Sequence, residues 1–343
     1  MLVNPHYLRD RTEMTTDPFS DILKLVNAET VVTGGLSAGG SWAIRFPAPD
    51  KIKFCVIVKG SCWARIDGKE GPLHAETGDV LLLSAQRSFV LAGDLSTVPV
   101  DAMTLFAGTP TMTARVGYGD DFVQMGGHVR LDPANGGLLA DVLPPYIHVR
   151  AASPHATALR WILEQLVRER AASLPGANIA SAQLAQLMFV QILRVHLETS
   201  GPLAAGWLRA VSDQRLAPAL RLMHGDPGRS WRLEELAKAV AMSRTTFALH
   251  FRTAAGVAPL TYLTEWRMRL AERALREEST PISVLARLLG YASESAFSNA
   301  FKRVTGKAPN HYRSAVRADG AAGERGRQRG VLPVLPDHAE FLQ

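Results

Sequence analysis

The chain has 343 residues, 47% hydrophobic and 20% charged, which allows two folded domains and a tail. Two cysteines are too few for the disulfide framework of a small secreted protein, and no run approaches the ~18 apolar residues of a membrane span. The formal charge of +6 is concentrated: residues 213–317 carry 17 Lys+Arg against 9 Asp+Glu, while the segments on either side are each close to neutral, so a phosphate-rich partner is expected for that segment alone.

Residues 1–150 alternate short bulky runs with turn signals. The start has no continuous apolar segment of the signal-peptide kind, so a soluble, cytoplasmic protein is expected. Runs at 42–46, 54–58, 62–66 and 80–83 are rich in β-formers. Gly60, Asp67-Gly68, Gly71-Pro72 and Thr77-Gly78-Asp79 separate them. Short strands at this spacing predict a small β-barrel or sandwich. Trp42, Phe54, Trp63 and Phe89 read first as ordinary core and second as walls of a cavity, in which Arg45, Lys53 or Arg65 would hold an anionic ligand group. Cys55 and Cys62 read either as small buried hydrophobes or as a thiol sensor.

Residues 151–212 turn helical. Apolar positions recur every three or four residues over 155–171 and 179–198, with Pro175-Gly176 between them. The second helix is apolar on more than one side, which suits either a dimer seam or packing onto the β-domain. Gly201 to Gly206 reads as a linker.

Residues 213–314 contain one helical pattern written twice. Ser243, Phe247, Phe251, Gly256, Pro259 and Tyr262 of the first copy fall on Ser293, Phe297, Phe301, Gly306, Pro309 and Tyr312 of the second. In each copy a serine suits the N-cap, two phenylalanines share a buried face, a glycine stops the helix and a proline restarts the next. Upstream of each lies a short amphipathic helix, at 233–240 in the first copy, joined through a turn of a few residues; this is a helix-turn-helix pattern. Residues 260–277 lack Gly and Pro and predict a long connecting helix.

These residues resemble the DNA-binding domain of AraC/XylS transcription regulators, most specifically in LARLLGYASESAFSNAFKRVTGKAPNHYR. The resemblance implies two helix-turn-helix units on adjacent major-groove segments. Carried over by position, the DNA-facing residues are Arg244, Thr245, Ala248, Leu249 and Arg252 in the first unit. In the second they are Glu294, Ser295, Ser298, Asn299, Lys302 and Arg303. Leu249 and Asn299 stand where relatives often carry Arg, so a thymine methyl and an adenine are the implied contacts, with Glu294 accepting from cytosine N4.

The first segment resembles the cupin-type sensor domains joined to such DNA-binding domains. The metal-ligand positions of that fold align with Lys53, Cys55, Lys59 and Phe89, which do not form a normal ligand set, and His74 lacks partner spacing. No metal or other cofactor is therefore expected, and no enzymatic activity. The expectation is an α+β, two-domain chain: a cupin-like sensor at 1–150, a helical linker at 151–212, an all-α DNA-binding domain at 213–314 and a disordered tail at 315–343. It would be a sequence-specific transcription regulator controlled by a small molecule or chemical signal. Its partners would be promoter DNA, an unknown effector, RNA polymerase and a second copy of the chain, and not a membrane. The rival is a metal-dependent cupin enzyme fused to a DNA-binding domain.

Overall fold

The computed structural model describes residues 17–84, 86–107, 113–172, 174–201, 203–277 and 280–316; most of the tail at 315–343 lies outside the described residues. Two compact units emerge, one formed by Phe19–Asp213 and one that begins at Gln214. Among the described residues no helix is long and apolar enough to cross a membrane.

The first unit opens with α1 (Pro18–Leu25) and then builds strands β1 (Glu29–Gly39), β2 (Ala43–Phe46), β3 (Ile52–Lys59), β4 (Ser61–Ile66), β5 (Leu73–Glu76), β6 (Val80–Leu83), β7 (Phe89–Ala92) and β8 (Val100–Asp101). Helix α2 (Ala102–Phe106), β9 (Thr113–Gly117), β10 (Phe122–Arg130), α3 (Gly137–Ala140) and β11 (Tyr146–Val149) complete the β-region. The strands form two open sheets packed face to face: β11-β6-β3-β10-β1-β9 against β5-β4-β7-β2-β8. The architecture is thus a sandwich, not a closed barrel.

Alternation sets what faces the interior. On β4, Cys62, Ala64 and Ile66 point between the sheets, while Trp63 and Arg65 point away. On β3, Cys55 and Ile57 join the same core, with Ile44, Phe46, Leu81, Leu83, Phe89 and Phe122 from other strands. Phe54 projects to the opposite side, where its ring occupies the space that a side chain on Gly127 of β10 would need. That outer face is covered by helix, which is why β3 is buried along both faces.

The covering helices are α4 (Thr157–Ala172) and α5 (Ala177–Thr199), followed by α6 (Trp207–Ser212). Helix α5 packs on β1 and β11, and its Gln186 side chain accepts a hydrogen bond from the Thr30 amide at 3.0 Å. Packing onto the β-domain, one of the two roles open for this apolar helix, is thus present. A buried pair closes the junction with the sandwich: His148 Nε2 of β11 lies 2.8 Å from Asp79 Oδ2, and the Ala151 amide donates to the same carboxylate at 2.8 Å.

The second unit is all helical: α7 (Ala217–Gly225), α8 (Leu233–Ala239), α9 (Arg244–Ala255), α10 (Pro259–Glu277), α11 (Ile282–Leu288), α12 (Glu294–Thr305) and a last helix over 309–316. The repeat is visible in its geometry. Ser243 Oγ accepts from the Thr246 amide at 3.2 Å, and Ser293 Oγ from the Ala296 amide at 3.1 Å. Both recognition-type helices end in a left-handed glycine, Gly256 and Gly306. The rings of Phe247 and Phe251 are 5.7 Å apart, as are those of Phe297 and Phe301. Phe251–Tyr262 and Phe301–Tyr312 are edge-on at 5.5 Å in both copies. Each such triad is worth more than its buried area alone, because edge-to-face rings add roughly 0.5–1.5 kcal/mol per pair.

Candidate nucleic-acid interface

The aromatic triads fix which face of each helix is free. Phe247, Phe251, Ala254 and Ala255 of α9 are buried, so the opposite side carries Arg244, Thr245, Leu249 and Arg252 into solvent, with Ala248 half-buried at its edge. Leu249 is 68% exposed, an apolar group held in water on an otherwise polar strip. In α12, Phe297, Ala300 and Phe301 are buried. Glu294, Ser295, Asn299, Lys302 and Arg303 are exposed there, and Ser298 is half-buried. The eleven residues singled out in the sequence are therefore brought onto two corresponding strips. One is already engaged: Arg244 donates to Glu234 of α8 at 3.0 Å, clamping the turn, and this hydrogen bond holds the Glu234 carboxyl below its usual range.

Connector α10 has 19 residues, so at ~1.5 Å per residue it spans about 28 Å. Its buried side includes Tyr262, Leu263, Trp266, Leu270, Ala271 and Leu275, and it packs on both α9 and α12. Both strips thus belong to one packed helical body.

Two features here have no sequence signal of the motif kind. Arg267 of α10 donates through Nε to the Pro227 carbonyl at 2.6 Å and through Nη2 to the Arg229 carbonyl at 2.8 Å. Gly228 and Gly290 meet backbone to backbone: a Cβ on either would lie 2.3 Å or less from a carbonyl oxygen on the other side.

In the sandwich, a cleft of about 140 Å³ opens beside Phe46, Lys53, Cys55, Met103, Phe106 and Gln124. Lys53 Nζ sits 4.8 Å from the Phe46 ring centre and 5.8 Å from that of Phe89. Of the seven residues considered for a ligand, Lys53 alone lines this cleft, while Phe89 is buried in the core, its ring centre 5.8 Å from Lys53 Nζ. Phe54 is on the other face of its strand. Arg45 points outward and pairs with Asp67 at 3.8 Å. Trp63 lies against His74 outside the core, the rings tilted and 4.6 Å apart between centres. Trp42 is buried against Phe122 instead, at 4.6 Å.

The cleft does not suit a metal ion. Lys53 and Phe89 supply no ligand, Lys59 pairs on the surface with Asp120 at 3.2 Å, and among the described residues no three His, Cys, Asp or Glu gather as a metal cage. The two cysteines lie inside the sandwich. Burial pushes the Cys55 thiol up to about 11 and the Cys62 thiol up to about 12, so at neutral pH the reactive thiolate is scarce at both.

Comparison with known proteins agrees with this division. Residues 17–198 match the cupin family model and residues 236–315 match a helix-turn-helix domain model. A putative AraC-like transcription regulator of Streptomyces antibioticus is 41% identical, over 87% of this chain and 98% of its own length. The HTH-type transcriptional regulator AlkR of Acinetobacter baylyi is 28% identical, over 80% of this chain and 91% of its own. Among solved structures, the DNA-binding domain of AdpA in complex with a target DNA is 32% identical, covering 31% of this chain and 95% of that one, with a TM-score of 0.29.

Proposed function

The chain belongs to the AraC-like transcription regulators, a DNA-binding helix-turn-helix domain preceded by a cupin domain, and from that premise we propose how its own residues divide the work. The observation that carries the reading is the pair of matching exposed strips on α9 and α12, in the one segment of the chain with a basic excess. The helices enter successive major-groove segments, near one DNA turn, roughly 34 Å, apart. Thr245, Ala248 and Leu249 meet base edges in the first segment, Leu249 against a thymine methyl. Glu294, Ser295, Ser298 and Asn299 do so in the second, Asn299 pairing with adenine and Glu294 with a cytosine amine. Arg244, Arg252, Lys302 and Arg303 lie on phosphates and set the register.

Genomic footprinting of the protein tests the assignment, because it returns the sites and the genes beside them. On such a site, Asn299→Ala is expected to relax preference at one base position, costing about 1–3 kcal/mol on the preferred base. Lys302→Ala is expected to weaken every sequence alike and to lower the salt slope of binding by about one unit. An unchanged base profile for Asn299→Ala would remove Asn299 from the groove.

The sandwich acts as the sensor and not as an enzyme. Its effector enters the cleft by Lys53, whose ammonium faces an acidic or electron-rich group, with Phe46 and Phe106 against an apolar part. A cleft of about 140 Å³ admits a small ligand only, since drug-sized molecules occupy roughly 300 Å³ or more. A metabolite panel read by thermal shift tests this, because a ligand of the folded state raises its stability. Stoichiometric metal in purified protein would restore the enzyme reading. The chain pairs with a second copy through the exposed Trp161, Ile179 and Leu187 of α4 and α5, which sedimentation of Trp161→Glu against the native chain checks.

A further inference from the structure

We propose that Arg267 is the positioning residue that holds the two helix-turn-helix units in one register for DNA, through a contact in which it joins the loop before α8 to the turn before α12. The proposal rests on the two-unit DNA reading above and deepens it.

The first unit contributes the loop at 226–232. That loop is tied to α8 at several points. Arg229 pairs with Glu235 at 2.6 Å and stacks on Trp231 at 3.9 Å, and Glu235 also accepts from the Arg232 amide at 2.9 Å. The Trp231 indole donates to the Asp226 carbonyl at 2.9 Å. The second unit contributes the turn Gly290-Tyr291. It too is anchored, by the Tyr291 amide donating to Ala286 of α11 at 2.9 Å and by the Tyr291 ring against Phe297 of α12 at 5.6 Å.

Arg267 lies between them on the connector. Its guanidinium donates to two carbonyls of the first unit's loop, at 2.6 and 2.8 Å, while its Cζ lies 5.8 Å from the centre of the Tyr291 ring of the second unit. A Cβ placed on Gly290 would come 3.3 Å from Nη2, so the guanidinium also lies against the turn backbone. Gly228 and Gly290 close the same seam by direct backbone contact. A planar fork with fixed donor directions suits two carbonyls of one loop, which a lysine's single nitrogen matches poorly. A helical connector alone allows bending and twisting; a third point of attachment beside it removes that freedom. Two linked units gain affinity over one only where their geometry permits both to engage at once.

Two measurements on the full-length protein test this. The first needs no DNA: spin labels on Thr253→Cys and Val304→Cys, both exposed, report the distance between α9 and α12. A single narrow distribution is expected with Arg267, a broad one with Arg267→Ala and an intermediate one with Arg267→Lys. The second uses duplexes carrying the footprinted site, the same site with one or two base pairs inserted between its halves, and the site with its second half scrambled. The native chain is expected to lose about tenfold or more on insertion. Arg267→Ala is expected to bind the native spacing about tenfold more weakly, to lose little further on insertion, and to match the native chain on the scrambled site. A folded Arg267→Ala variant with an unbroadened distance and an intact spacing preference would overturn the proposal, as would a native chain indifferent to spacing. Failure of every form to bind the site, with the label result as expected, would count against the DNA reading and leave the positioning role standing.

Discussion

Gly290→Ala is expected to lower the stability of the helical unit by about 3 kcal/mol or more and to abolish tight DNA binding at ordinary temperatures. Two costs combine at this turn. Gly290 has φ of +79°, which charges an L-residue roughly 1–2 kcal/mol. The larger cost is contact: the new Cβ would lie 2.1 Å from the Gly228 carbonyl oxygen and 2.9 Å from its carbon, both backbone atoms of a loop that Arg267 and Trp231 hold in place. The equivalent position in the first unit is Ala241, also left-handed at φ of +52°. Ala241→Gly is the informative control. It relieves strain at some cost in chain entropy, so it is expected to be neutral or to stabilise by up to about 1 kcal/mol. Urea denaturation of the three proteins, followed through the helical unit's transition, measures both. A Gly290→Ala protein as stable as the native one would mean that the units are not in contact through this turn.

The contrast between those two turns bears on what a sequence makes legible. The caps, stops, restarts and phenylalanine pairs of residues 243–263 and 293–313 are local chemistry at fixed offsets, and the two copies check each other. Each recognition helix and its free face were therefore readable before any coordinate. The seam between the units was not. The acceptors of Arg267 are backbone carbonyls 40 and 38 residues away, and any residue supplies a carbonyl. In the sandwich, β4 alternates cleanly, and its phase puts Trp63 outside, but aromatic type alone does not separate it from the buried Trp42. Strand β3 is buried on both faces, so its pattern carries no phase, and nothing in it separates Phe54 from the Lys53 and Cys55 side. Strands β1 and β10 were hidden by their glycines. Gly35 and Gly127 resemble turn residues, yet here they let neighbouring backbones and the Phe54 ring approach within distances that a Cβ would forbid.

Asp79→Ala is expected to cost the sensor unit about 3–5 kcal/mol, the range for removing one partner of a buried pair. The Asp79 and His148 side chains are each only 8% exposed. Burial by itself would raise the Asp79 carboxyl, but hydrogen bonds from His148 and from the Ala151 and Glu76 amides outweigh it and hold the group below its usual value. Removing it strands an imidazole and two amide N–H groups at once. The sign of the pH effect follows from the lowered value. The stabilisation is complete above the ordinary carboxylate range and disappears as pH falls through the lower folded-state value. Native protein should therefore lose stability steeply on acidification below about pH 4, whereas Asp79→Asn should start lower at neutral pH and follow a flatter curve in that window. Urea midpoints from pH 3 to 7 separate the two, and parallel curves would show that Asp79 does not carry the acid response. The position of the pair makes its loss more than a local defect. Asp79 precedes β6, His148 sits on the β11 strand that pairs with it, and Ala151 leads into α4, so one carboxylate ties the sandwich to the start of the helical hairpin. A variant without it should keep its strands yet release that hairpin, which amide exchange across 151–172 would register as lost protection while β3 and β10 stay protected.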